Sequence, residues 1–224
     1  MGEIVRLDSV SKRYQSGQTC VYALRSVSLR VFDGEYLAIT GPSGSGKSTL
    51  LGIIGGLDSP SSGKCVVDGK DLSVLRDGDL TEFRRTFVGF VFQAFNLINS
   101  ITVLENVCLP LRYAGVSKRD RMARAMGALT QVGLSDRAAF YPDQLSGGEQ
   151  QRAAIARSVV HGPHLLLADE PTGNLDSKAQ AQVLGLFDDL SKDRRTLVVV
   201  THNPVVANRA RRVVRIEDGT VAES

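Results

Sequence analysis

The chain has 224 residues, 42% of them hydrophobic and 23% charged, with a net charge of +3 at pH 7. That length buries a sizeable single core, and the balance is that of an ordinary globular domain, not of a disordered or polybasic chain. No apolar run approaches the roughly 20 residues of a membrane-spanning helix.

Ile4 to Val10, Val27 to Phe32 and Tyr36 to Thr40 are β-rich and predict strands, with Asp33-Gly34 as a hairpin-type turn. Gly41 to Thr49 is a glycine-rich loop leading into a helix from Lys47 to about Gly55. A short strand, Lys64 to Val67, ends at Asp68-Gly69. From about residue 71 to 144 the texture is mostly helical, with a helix over Ser117 to Val132 and a strand, Val88 to Phe92, interrupting it. Another helix runs from Ser146 to about Val160. Strand and helix then alternate: Leu165 to Ala168, helix Ser177 to Leu190, Thr196 to Thr201, a short helix past Pro204, and strands Arg212 to Ile216 and Thr220 to Ala222. Near-continuous apolar strands alternating with helices imply a parallel sheet covered on both faces.

Three cysteines (Cys20, Cys65 and Cys108) lie far apart in no metal-ligand spacing, which implies a reducing compartment and buried or inert thiols. The N-terminus has acidic Glu3 and alternating polarity, unlike a secretory signal, and Arg6 spoils a myristoylation site at Gly2. Basic clusters at 118–124 and 209–212 read as solvated helix faces, so no nucleic-acid partner is expected.

Gly41-Pro42-Ser43-Gly44-Ser45-Gly46-Lys47-Ser48-Thr49 fits G-x-x-x-x-G-K-[ST], between a strand and a helix as that motif requires. Its glycines let backbone N–H groups turn inward around an anion, and the helix points its positive end at the same place. Lys47 is expected to reach the β- and γ-phosphates, and the Ser48 hydroxyl to ligate Mg²⁺. The strand over 165–168 ends in Asp169-Glu170. In such a sheet the ligand crevice lies at the C-terminal strand ends, beside the phosphate loop. Adjacent strand residues point opposite ways, so Asp169 is expected in the Mg²⁺ shell and Glu170 facing an attacking water. His202 ends the next apolar strand and is expected to bond the γ-phosphate and orient Glu170. His161 and His164 lack that context and read as structural. Leu145-Ser146-Gly147-Gly148-Glu149-Gln150-Gln151-Arg152 opens a helix with a capping-box pattern, which makes a second anion-accepting N-terminus.

This last segment resembles the signature motif of ABC transporter ATPases, and the rest of that family's pattern follows in order. Gln93, in Phe92-Gln93-Ala94, resembles the Q-loop residue that touches Mg²⁺ and water. Asn174-Leu175-Asp176 resembles the D-loop, Thr201-His202 the switch histidine, and Tyr14 the aromatic that stacks on adenine. Asn203 and Glu149 depart from the commonest residues at their positions, and neither removes a catalytic group.

The resemblance implies an α/β P-loop NTPase fold with a mostly parallel core sheet and an N-terminal antiparallel β subdomain. All of 1–224 forms one ATPase domain, with a helical subdomain inserted at about 94–160. It implies ATP with Mg²⁺ and a head-to-tail homodimer. Each ATP then lies between the phosphate loop (Gly41 to Thr49) of one subunit and Ser146-Gly147-Gly148-Glu149 of the other. Catalysis falls to Lys47, Glu170 and His202, with Ser48, Gln93 and Asp169 at the metal. Within the family, Val88 to Leu97, Thr102 to Val107 and Ala168 to Asp176 are most similar to the ATPases of lipoprotein-releasing systems, macrolide and peptide exporters and bacitracin-resistance pumps. That branch implies a cytoplasmic subunit on the inner face of the membrane, held by a separate permease and powering export or extraction. A regulator of the same branch, acting through a permease-like partner as in cell division, is the alternative.

Overall fold

The computed structural model describes residues 2–16 and 19–222. Its first two strands, β1 (Glu3–Ser16) and β2 (Thr19–Phe32), pair antiparallel as one long hairpin. The inner half of β2 buries Val27, Leu29 and Val31 at alternate positions, which holds one face against the core. The outer part, Thr19 to Tyr22, is exposed, and its pairing with β1 carries the hairpin well beyond the ends expected at Val10 and Val27.

After the Asp33-Gly34 turn come β3 (Tyr36–Thr40), α1 (Lys47–Ile54), β4 (Ser62–Val67) and β5 (Lys70–Asp71). Next are α2 (Asp77–Phe87), β6 (Val88–Phe92), α3 (Val103–Tyr113), α4 (Lys118–Gln131) and α5 (Gly147–Val159). The chain closes with β7 (Leu165–Asp169), α6 (Ser177–Lys192), β8 (Thr196–Val200), α7 (Pro204–Ala207), β9 (Arg212–Glu217) and β10 (Thr220–Ala222). Helix starts follow their caps. Thr102 and Ser146 form full capping boxes with Glu105 and Glu149, Ser117 accepts from the Asp120 N–H, and Asp176 accepts from the Ala179 N–H.

Two sheets result. One is antiparallel, in the order β2-β1-β4-β5; the other has six strands in the order β10-β9-β3-β8-β7-β6. In the second, β9, β3, β8, β7 and β6 are mutually parallel and β10 alone is antiparallel. The strands that looked continuously apolar are covered on both faces. Leu37, Ile39, Leu165, Leu167, Val198 and Val200 face one cluster with α1 and the antiparallel sheet. Tyr36, Leu166, Ala168, Leu197 and Val199 face another with α5 and α6. A third apolar cluster joins α3, α4 and α5 around Val107, Leu111, Leu129 and Ala153, so the helical region has packing of its own. The fold is thus the α/β arrangement the sequence implied.

Candidate functional site

Strand register brings the site together. Ile39 of β3 lies opposite Val200 of β8, Val200 opposite Asp169 of β7, and Asp169 opposite Phe92 of β6. The residues that follow these strands therefore emerge side by side: Gly41, His202, Glu170 and Gln93. Between β9 and β8, β3 occupies a point where strand order reverses, the place where open α/β sheets carry their ligands.

The phosphate loop leaves β3 here. Gly46 caps α1 with φ of 102° and Gly41 has φ of 149°; a Cβ on them would stand 2.2 Å from the Ala23 carbonyl oxygen and 2.0 Å from that of Ile216. Neither position admits a side chain. Gly44, at φ of 77°, has open space where a Cβ would be, so backbone conformation alone selects glycine there. Lys47 is buried and its Nζ donates to the carbonyls of Gly41 (2.9 Å) and Pro42 (2.8 Å). The ammonium is thereby poised over the loop. Ser48 and Thr49 follow on the first turn of α1.

Asp169 ends β7 with Ser48 facing its carboxylate, and burial pushes its pKa up against the smaller lowering effects of Ser48 and Lys47. Its Oδ1 is buried without a hydrogen-bond partner. Such an orphaned carboxylate oxygen beside a hydroxyl is a hard-oxygen donor pair of the kind Mg²⁺ takes, with waters and phosphate oxygens completing its shell. The residues present fit that ion.

Glu170 turns out of the strand at a left-handed φ of 46°, while its N–H still bonds to the Val200 carbonyl at 2.9 Å. A non-glycine residue held there carries local strain, on the order of 1 kcal/mol. Its carboxylate is gripped from β8's end. Oε1 accepts from the His202 N–H at 3.0 Å and lies 2.6 Å from His202 Nδ1, and Oε2 accepts from Thr201 Oγ1 at 3.2 Å. The two neighbouring carboxylates thus serve different partners, Asp169 towards Ser48 and Glu170 towards His202. Asn203, where Asp is commoner, caps α7 by accepting from the Val205 N–H. Asparagine caps as well as aspartate, which explains its acceptance.

Gln93 is exposed just past β6. Its Nε2 donates to Asn174 Oδ1 at 3.2 Å, and Asn174 Nδ2 donates to the Gln93 carbonyl at 3.2 Å. The two loops are therefore tied to each other. Tyr14 lies near the hairpin tip, 45% exposed, its hydroxyl donating to Asp58 Oδ2 at 2.7 Å.

Ser146, Gly147, Gly148 and Glu149 form the N-terminus of α5. They line a cleft of about 370 Å³ with Asn174, Asp176 and Lys178, and none of the residues lining it belongs to 41–49. Glu149 Oε2 accepts from the Ser146 N–H (2.9 Å) and hydroxyl (2.7 Å), and Oε1 from Arg137 (3.2 Å). The Ser146 bonds, then Arg137, hold its pKa below the usual carboxylate range. Gly148 has a packing reason too, since a Cβ there would meet that of Ala179 at 2.6 Å.

Of the histidines read as structural, His161 faces the Val88 carbonyl and His164 stacks on Phe87. Cys65 and Cys108 are buried and burial raises both thiols, Cys65 to about 12, but Cys20 is exposed. Cys20 falls on the solvent-facing outer hairpin, so burial accounts for two of the three thiols. Two residues escaped the sequence reading. Arg157 on α5 donates to the carbonyls of Phe95 (2.8 Å) and Asn96 (2.5 Å), both at left-handed φ. Gln151 donates to the buried Pro171 carbonyl at 2.7 Å, bracing the loop after Glu170. A polar residue on an amphipathic helix carries no signal of this kind by itself.

Residues 24–173 match the family model described as ABC transporter. An uncharacterized ABC transporter ATP-binding protein of Thermotoga maritima is 50% identical, covering 99% of this chain and 94% of that protein. The macrolide export ATP-binding/permease protein of Marinobacter nauticus is 46% identical over 98% of this chain, which spans only 34% of that relative. A solved ATP-binding cassette, dimeric in a post-hydrolysis state and bound to ADP and Pi, superposes with a TM-score of 0.93 at 44% identity, covering 98% of this chain and 97% of that one.

Proposed function

This chain belongs to the ABC transporter family and is an ATP-binding, ATP-hydrolysing component of such a system; we propose that it acts as half of a head-to-tail homodimer and powers export or extraction through a separate membrane permease. The observation that carries the dimer is the separation of two anion-accepting helix N-termini. One belongs to the phosphate loop and the other to Ser146-Gly147-Gly148, in a cleft that shares no lining residue with that loop. Two-fold pairing lets each cleft complete the other subunit's site. The dimeric cassette at 44% identity supports this closure.

In the proposed site the inward N–H groups of Gly41 to Thr49 cradle the phosphates, and Lys47 exchanges its loop carbonyls for phosphate oxygens. Ser48, Gln93 and Asp169 would hold Mg²⁺, whose charge would offset that of the phosphates. Glu170 polarises the attacking water, and His202 orients Glu170 and donates to the γ-phosphate. Tyr14 stacks on adenine, and Ser146 to Glu149 of the partner subunit close over the nucleotide.

Permease docking is supported by a groove of about 690 Å³ between α2, β6, α3 and α5. Phe90, Leu109, Pro110 and Tyr113 give it an apolar lining, with Arg84 and Arg85 at its side; Tyr113 is 72% exposed. That shape suits an amphipathic helix with acidic residues. Export, not import, is supported by the likeness to the macrolide export protein. Among the described residues no helix is long and apolar enough to cross a membrane, so a transmembrane path needs another segment or chain. Site-directed cross-linking tests the docking. Tyr113→Cys should cross-link to a membrane-spanning permease in native membranes, and Val205→Cys on α7 should not. No cross-link from position 113 to any such subunit contradicts the reading.

A further inference from the structure

We propose that Asp58 is a positioning residue for nucleotide binding: it holds the Tyr14 ring, braced by Lys12, on the same rigid unit as the phosphate loop. The inference rests on the reading of Tyr14 as the platform for adenine. Asp58 lies in the turn that ends α1, where the N–H groups of Leu57 and Asp58 both return to the Gly52 carbonyl, at 2.8 and 3.3 Å. Its carboxylate faces β1. Oδ1 accepts from Lys12 Nζ at 2.5 Å and from the Ser59 N–H at 2.7 Å, and Oδ2 accepts from the Tyr14 hydroxyl at 2.7 Å. Lys12 Nζ also donates to the Ser59 carbonyl at 2.7 Å.

Lys12 serves a second purpose in this cluster. Its ammonium stands 5.0 Å from the centroid of the Tyr14 ring, covering one face and leaving the stacking of a base to the other. The Thr49 side chain stands beside the same tyrosine hydroxyl, so the ring touches both ends of α1: its phosphate-loop start and the turn beyond its C-terminus. Burial pushes the Asp58 carboxyl up, yet the bonds from Lys12, Tyr14 and the Ser59 N–H together outweigh it and hold the carboxyl below its ordinary range. The cluster is therefore an ion pair carrying a tyrosine, not a neutral turn. A ring fixed before the ligand arrives spares the ordering cost that a free aromatic side chain incurs on binding.

Calorimetry on the full chain tests this, with ATP and inorganic tripolyphosphate as probes. Tyr14→Phe, which removes only the hydroxyl, and Asp58→Ala should each weaken ATP about threefold to tenfold, the range of one hydrogen bond. The double variant should be no weaker than Asp58→Ala alone, because the link that Tyr14→Phe removes is already gone there. Tripolyphosphate, which has no base, should bind all of them as it binds the wild type. If Asp58→Ala does not fold, Tyr14→Phe carries the test alone. An equal loss for tripolyphosphate makes the cluster merely structural and overturns the proposal. Wild-type ATP affinity in Tyr14→Phe and Asp58→Ala, with a loss in Tyr14→Ala, overturns the positioning role and leaves the platform standing. Wild-type ATP affinity in Tyr14→Ala removes the platform, and the proposal with it.

Discussion

Replacing Glu170 by glutamine separates catalysis from folding. The side chain keeps its shape, and its amide oxygen can still accept from the His202 N–H in place of Oε1. The new NH₂ then faces Thr201 Oγ1, a hydroxyl that can reverse its role and accept. The structural cost is at most one weakened hydrogen bond, about 1 kcal/mol. The catalytic cost is larger, because an uncharged amide cannot take a proton from water. A positioned general base contributes roughly 10²- to 10⁴-fold, or about 3 to 5 kcal/mol of barrier. Glu170→Gln should thus melt within a few degrees of the wild type, bind ATP, and release phosphate at least a hundredfold more slowly. With hydrolysis blocked, the ATP-closed pair should accumulate as a dimer in size-exclusion chromatography with MgATP. Turnover within threefold of the wild type, with the protein still monomeric in ATP, would refute Glu170 as the base.

Asp169→Asn should act in the opposite direction on stability. Burial raises the folded-state pKa of Asp169, so the native chain binds its proton more tightly than the unfolded one, and the ionised group costs stability once pH has risen through that interval. At neutral pH without nucleotide, the asparagine variant should melt higher, by roughly 2–4 °C per kcal/mol recovered, and lose the extra stabilisation that Mg²⁺ gives to bound ATP; a lower melting temperature would contradict this. Glu149 has a depressed pKa, so its contribution is present above the unfolded value and is lost as pH falls through the folded one. Glu149→Gln keeps the capping geometry and removes the charge, so its acid unfolding limb should be flatter than that of the wild type in melts at successive pH values. An identical acid limb would show that the Ser146 and Arg137 bonds contribute nothing.

The motif residues were legible because each chemistry demands a residue type at a strand end, and apolar runs such as Leu165–Ala168 announce their own ends. What sequence could not reveal was how the groups are held. Glu170 and His202 are adjacent only because β7 and β8 pair in parallel at one register. The long outer hairpin was missed because its residues are exposed and carry no hydrophobic alternation. Asp58 reads as a turn residue until Lys12 and Tyr14, more than 40 positions earlier, fold against it. Arg157 reads as a solvated helix charge until the left-handed pair Phe95-Asn96 offers it two carbonyls. Long-range pairings of this sort leave no local pattern.

Subunit complementation tests the composite site most directly. Lys47→Ala removes the phosphate-loop ammonium and Ser146→Arg blocks the cleft at α5, so each variant alone should be inactive. In an equal mixture half of the dimers are mixed, and each mixed dimer pairs one intact loop with one intact cleft. ATPase activity should therefore return to about a quarter of the wild-type level, as two-fold pairing requires. A mixture as inactive as its components would contradict the head-to-tail site.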